Sequence, residues 1–174
     1  MIEALTASVI VTGVGMCVID ELEATPESGG VPAKMRVCLL VPGNIAWDSC
    51  ECGQFAQTIQ SDYPTLNFPA DASDQILGIG GCVVGPLAIQ VLASITRCVP
   101  TLDASGNPPT CAKLRAAALV MQGDAYALRR GITCCLETLR KNRTITKYVV
   151  GRVNYVGPEG ACAGVELVYR FELI

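Results

Sequence analysis

The segment from Cys111 to Asn142 constrains the fold more than any other. Cys111, Leu114, Ala118, Met121, Ala125, Leu128, Ile132, Cys135 and Leu139 keep a three-four spacing along it, which places them on one stripe of a helix about 45 Å long. Thr110 stands where its hydroxyl accepts from the exposed backbone N–H groups of the first turn. Gly123 and Gly131 each cost about 1 kcal/mol relative to Ala inside a helix, so they mark points for a kink or split. A continuous apolar stripe of this length requires a second layer to cover it.

The flanking blocks have a different period. Leu87, Ile89, Val91, Ala93 and Ile95 alternate with Ala88, Gln90, Leu92, Ser94 and Thr96, a period-two strand that ends by Pro100. Lys34 to Val41 reads as a short strand closed by Pro42-Gly43-Asn44, and Gln54 to Tyr63 as another, with Phe55 and Ile59 on one face. After the long helix come Ile145 to Val156 and Gly164 to Leu173, joined by the turn Gly157-Pro158-Glu159-Gly160, with Val165, Leu167, Tyr169 and Phe171 sharing a face. At the start, Ile2, Leu5, Val9, Met16, Ile19 and Leu22 fall on one helical stripe, ended by breakers from Pro26 to Pro32. Residues 64–86, rich in Pro, Gly, Asp and Ser, form a loop longer than compact domains usually tolerate, and such loops tend to bind something. The expectation is one α+β domain over residues 1–174. It has an N-terminal helix (1–25), a mixed or antiparallel sheet of about five strands, a long loop (64–86) and a long helix (111–141) packed on the sheet.

Composition then limits the function. At 174 residues and 51% hydrophobic, the chain is long enough for one sizeable core, while only 17% charge implies a surface that hides part of itself in an assembly. There is no histidine, which removes Ser-His-Asp and Cys-His nucleophiles and His-ligated metal centres. No catalytic residue, metal or cofactor is expected, and the chain reads as a non-enzyme. A net charge of −3 gives no global positive field for nucleic acid or an anionic membrane. The nearest apolar run, Val9 to Ile19, is interrupted by Thr12, Gly13 and Gly15, too short to span a bilayer. The acidic start Met1-Ile2-Glu3 is unlike a signal peptide, so synthesis in a cytoplasm is expected.

Ten cysteines invite two chemical readings. Cys50-Glu51-Cys52 and Cys134-Cys135 suggest redox or zinc chemistry, yet there are no paired Cys-x-x-Cys motifs and no thioredoxin-like βαβ pattern. The favoured readings are cysteines used as small apolar side chains, such as Cys111 and Cys135 on the stripe, and disulfides formed after release from a reducing cytoplasm. Cys50, Cys52, Cys82, Cys98, Cys111 and Cys162 are the candidates for bonding, with the pairing left open.

Charge is segregated along the chain. Arg129, Arg130, Arg140, Lys141, Arg143, Lys147 and Arg152 face only Glu137 in their stretch, whereas residues 1–33 carry Glu3, Asp20, Glu21, Glu23 and Glu27 with no base. Three readings stay open: cations at a helix C-terminus, a docking pair between identical subunits involving Arg129, Arg130, Arg140 and Arg143 with Glu21 and Glu23, or contact with DNA.

Several segments carry a family likeness. They are Asn44-Ile45-Ala46-Trp47-Asp48-Ser49-Cys50-Glu51-Cys52-Gly53-Gln54, Tyr63-Pro64-Thr65-Leu66-Asn67-Phe68-Pro69, Arg97-Cys98-Val99-Pro100, Pro108-Pro109-Thr110 and Val156-Gly157-Pro158-Glu159-Gly160-Ala161-Cys162-Ala163-Gly164. In these, residues 36–174 resemble the head-to-tail connector (neck) proteins of long-tailed actinobacteriophages. The block order is similar to the tail terminator, since stopper proteins are typically smaller β-barrels. The resemblance implies a virion structural protein, made in the host cytoplasm, that forms a six-fold ring around the DNA channel in the neck. Its implied partners are copies of itself, an adjacent neck or stopper protein and the tail-tube protein. DNA would be met only in passage, and no membrane is involved. The alternatives are another connector or stopper ring, or a thiol-based redox or zinc module using Cys50 and Cys52.

Overall fold

The computed structural model describes residues 2–32, 35–45, 53–73 and 86–174, with side chains described from Thr6 onward. Helix α1 spans Ile2–Ala24 and α2 spans Cys111–Lys141; the strands are β1 (Arg36–Cys38), β2 (Gln54–Pro64), β3 (Leu87–Cys98), β4 (Ile145–Glu159) and β5 (Cys162–Leu173). The sheet order is β1-β2-β3-β5-β4, with β1 parallel to β2 and every other pair antiparallel. The fold is therefore α+β with a five-stranded mixed sheet.

The strand periodicity is realised in β5, where Val165, Leu167, Tyr169 and Phe171 are all buried beneath the helices. In β3 the same alternation puts Ile89, Val91, Ala93 and Ile95 into this core, and Phe55 of β2 joins them at the position opposite Ile95. Thr110 caps α2 by accepting from the Lys113 amide at 3.4 Å. Two boundaries differ from expectation. The first strand shrinks from residues 34–41 to three residues, although Val41 still donates to the Gln57 carbonyl. The expected turn 157–160 is largely strand, because β4 runs to Glu159 and pairs it with Cys162; the chain reverses at Gly160 and Ala161.

Both helix stripes need correction. In α1, Val9 is 68% exposed and Met16 is exposed, and the buried row is Ala7, Ile10, Val11, Val14, Val18 and Leu22. Four of the six, Ile10, Val11, Val14 and Val18, are β-branched, so burial in the core outweighs their weaker helix propensity. In α2 only the second half is covered: Ala125, Leu128, Ile132 and Leu136 are buried, while Cys111, Leu114 and Ala118 are exposed. Met121, Cys135 and Leu139 are partly buried against the core. The long helix simply outruns the layer beneath it.

Helix α2 is uninterrupted at Gly123 and Gly131. These glycines are the points where α1 and the turn after it press closest. A Cβ on Gly131 would sit 2.8 Å from Val18 Cα and 2.9 Å from the Cys17 carbonyl oxygen, and one on Gly123 would collide with the backbone of Glu27 and Ser28. The helix cost of each glycine is thus offset by close antiparallel packing of α1 on α2. Among the described residues no helix is long and apolar enough to cross a membrane.

Candidate assembly surface

The surface begins with two buried polar locks that hold the helix layer in place. Arg97 on β3 makes a bidentate pair with Asp124 on α2, its Nε 2.8 Å from Oδ2 and its Nη2 2.9 Å from Oδ1. Asp124 also accepts from the Gly29 amide at 3.0 Å, and Arg97 Nη2 donates to the Gly30 carbonyl at 2.7 Å. The turn after α1 is therefore tied to both the sheet and α2 through charge-assisted bonds. A second lock lies deeper. Buried Gln57 donates to the carbonyls of Val11 and Leu39 at 3.0 Å each and accepts from the Tyr169 hydroxyl at 2.9 Å. Burial pushes the Tyr169 phenol well above its ordinary range, so it stays a neutral donor.

Above these locks, α1, the turn after it and the middle of α2 enclose an open groove of about 730 Å³. Its apolar lining includes Ala24, Pro26, Leu119, Val120 and Tyr126, and Glu21, Glu27 and Arg130 stand on its rim. Leu119 is 52% and Tyr126 55% exposed. Beyond the groove the first three turns of α2 project with Leu114 exposed and, among the described residues, without a covering layer. Leu114, Leu119 and Tyr126 are thus large apolar side chains exposed along one helix.

Charges at this surface are partly settled within the chain. Arg130 pairs with Glu21 at 3.1 Å, donates to the Tyr126 hydroxyl at 3.0 Å and lies over that ring. The bond to Tyr126 and the Glu21 carboxylate raise the Arg130 guanidinium above its ordinary value. Arg130 and Glu21, expected as subunit-contact charges, pair with each other and join α2 to α1 of the same chain. Arg140 is likewise occupied: it forks onto Glu137 with two 2.8 Å bonds, and these pull the Glu137 carboxyl down to about 2. Tyr148 of β4 donates to the same carboxylate at 3.1 Å. Arg129, Arg143 and Glu23 are exposed and make no ion pair among the described residues, so they remain available for an outside contact.

The cysteines part from expectation. Cys17 and Cys135 form a disulfide between α1 and α2, with Cα atoms 6.1 Å apart. Cys135 is therefore bonded rather than stripe filling, and its partner Cys17 is outside the set of candidates that the sequence suggests. Helical geometry alone does not show that two stripes will meet at those positions. Cys162 is disulfide-bonded, as expected, and faces Cys98 across the β3–β5 ladder. Cys111, expected either as a bonded residue or as buried stripe, is a free thiol on the exposed start of α2. Cys50, Cys52 and Cys82 lie outside the described residues, as do residues 74–85 of the long loop; residues 65–73 fold back so that Thr65 donates to the Pro86 carbonyl and Ala72 to that of Pro64. Among the described residues no group of three or more Cys, Asp or Glu is placed to hold a metal.

Arg97 and Asp124 form a buried ion pair that sequence reasoning does not single out. A signal exists for Arg97, the single charge inside the strongly patterned strand β3, where burial without a partner is costly. No protein-family model and no curated protein matches the chain.

Proposed function

We propose that this chain is a structural subunit of the neck of a long-tailed bacteriophage, most simply the tail terminator, forming a ring that caps the tail tube and joins it to the head connector around the DNA channel. The observation that carries the reading is the unfinished helix layer: a 31-residue helix with its first half outside the core, beside an apolar groove. A subunit built to be completed by neighbours leaves such surface uncovered. Internal support comes from the Arg97–Asp124 pair, which ties α2 to the sheet, and from the Cys17–Cys135 bond, which ties α1 to α2. The chain's net charge of −3 suits a channel component that lets DNA slide past rather than gripping it.

The family likeness of residues 36–174 supplies the location in the virion, the six-fold symmetry and the partners, which are the adjacent neck ring and the tail-tube protein. Another connector or stopper ring is the second reading, and the extended α2 argues against a small barrel of that kind. Native mass measurement of the purified chain, followed by reconstruction of intact particles, tests the proposal. A cyclic oligomer found at the head–tail junction is the expected result. A strictly monomeric chain absent from the particle axis overturns it.

A further inference from the structure

We infer that Cys134 is a second partner for Cys17, so that the bond joining α1 to α2 exchanges between two adjacent positions of α2. The inference goes beyond the ring reading and does not depend on it. Gly131 is where α1 presses on α2: a Cβ there would lie 2.9 Å from the Cys17 carbonyl oxygen. On a helix the residues three and four positions further on flank such a point on either side, and here they are Cys134 and Cys135. Cys135 holds the bond to Cys17, and Cys134 is an exposed thiol. The three cysteines line one cleft of about 260 Å³ together with Asp20 and Thr138.

The ion pair one turn away gives the same register independently. Glu21 on α1 meets Arg130 on α2 at 3.1 Å. In an antiparallel helix pair, a step of four residues back along α1 and four forward along α2 leads from Glu21–Arg130 to Cys17–Cys134. The bond to Cys135 is one residue off that register, so Cys17 is addressed from both positions. Exchange between them needs no oxidant or reductant. The Cys134 thiolate attacks Cys17 Sγ; the Cys17–Cys134 bond forms as the Cys17–Cys135 bond breaks, and the electron pair leaves on Cys135 Sγ, which takes up the proton that Cys134 gave to solvent. Attack on Cys135 Sγ instead would join neighbours in the helix, whose side chains do not face each other. Glu21 and Ala24 line the groove from α1, and Leu119 and Tyr126 line it from α2. The choice of tether therefore sets where one wall of the groove lies against the other.

The experiment uses the full oxidised chain, with Cys134→Ser, Cys135→Ser and the double variant beside it. Wild type is equilibrated with a trace of reduced glutathione, quenched in acid, alkylated and digested without reduction, and the peptide is fragmented between residues 134 and 135. Both isomers are expected, the minor one within about tenfold of the major. In Cys135→Ser, Cys17 is expected to be bonded to Cys134, and reductant is expected to lower its melting temperature by more than that of the double variant. Wild type that holds only Cys17–Cys135 after equilibration, a bond between Cys134 and Cys135, or Cys17 left as a thiol in a folded Cys135→Ser chain overturns the exchange. The wild-type map decides the question even where a variant does not fold. Hydrogen exchange of residues 21–27 is expected to differ between oxidised Cys134→Ser and oxidised Cys135→Ser; identical exchange overturns the link to the groove.

Discussion

At the scale of single residues, glycine and the buried Arg97–Asp124 pair decide how closely the layers approach. Gly131 is buried where the α1 backbone passes, so a methyl group has no flexible neighbour to displace. Gly131→Ala is expected to destabilise by about 1 to 3 kcal/mol although Ala is the better helix former. A Cβ on Gly13 in α1 would meet nothing within 4 Å, and Gly13→Ala is expected to stabilise by about 0.5 to 1 kcal/mol. Chemical denaturation of the two variants checks both signs. Similar midpoints would mean that the close approach of α1 and α2 at Gly131 does not exist in solution. The Arg97–Asp124 pair owes its position to the same tight turn: a Cβ on Gly29 would fall 2.7 Å from the Arg97 guanidinium carbon.

At the scale of elements, α2 divides into a structural half and a presented half. Leu128→Ala is expected to cost about 2 to 5 kcal/mol, since the side chain is fully buried, whereas Leu114→Ala is expected to change the isolated chain's stability by less than about 0.5 kcal/mol. Equal losses at both positions, measured by urea unfolding of dilute protein, would contradict the division. The end of α2 is pinned to β4 through Glu137, which Arg140 and Tyr148 hold as a carboxylate. Arg140 is the larger cause of its low pKa of about 2 against an ordinary 4.5. Because the folded value is the depressed one, the stabilisation is complete above the unfolded value and is lost as pH falls from about 4.5 towards 2. Glu137→Gln is therefore expected to lower stability at neutral pH and to flatten its decline through that window. An unchanged acid limb in pH-dependent melts would refute the coupling.

At the scale of the whole molecule, the disulfide closes a long covalent loop, since Cys17 and Cys135 are separated by 118 positions in the chain. It fixes the antiparallel pairing of α1 and α2 that forms the groove. Cys17→Ser is expected to lower stability by about 2 to 5 kcal/mol relative to the oxidised chain and to leave the reduced chain nearly unaffected. Melting with and without reductant distinguishes these outcomes; equal losses in both conditions would show that packing around Cys17, and not the bond, carries the effect.

The local patterns determined the elements. Period-two alternation in 87–96 and 164–173, the capped three-four spacing of 111–141 and the breakers after residue 25 are contained in short stretches of chain, and each became a strand, a helix or an end close to where it was expected. The α+β class followed from their order. The candidate surface was legible only as a segregation of charge. What covers each stripe depends on the length and tilt of the opposing layer. Tertiary packing therefore decided that Leu114 is exposed and Leu128 buried, that Val11 and Val14 replace Val9 and Met16 in the core, and that Cys17 meets Cys135. Arg130 and Glu21 lie far apart in the chain but within one ion pair in space. Periodicity states which face of an element is apolar, but burial is a property of two surfaces, and only the folded chain brings the second surface to the first.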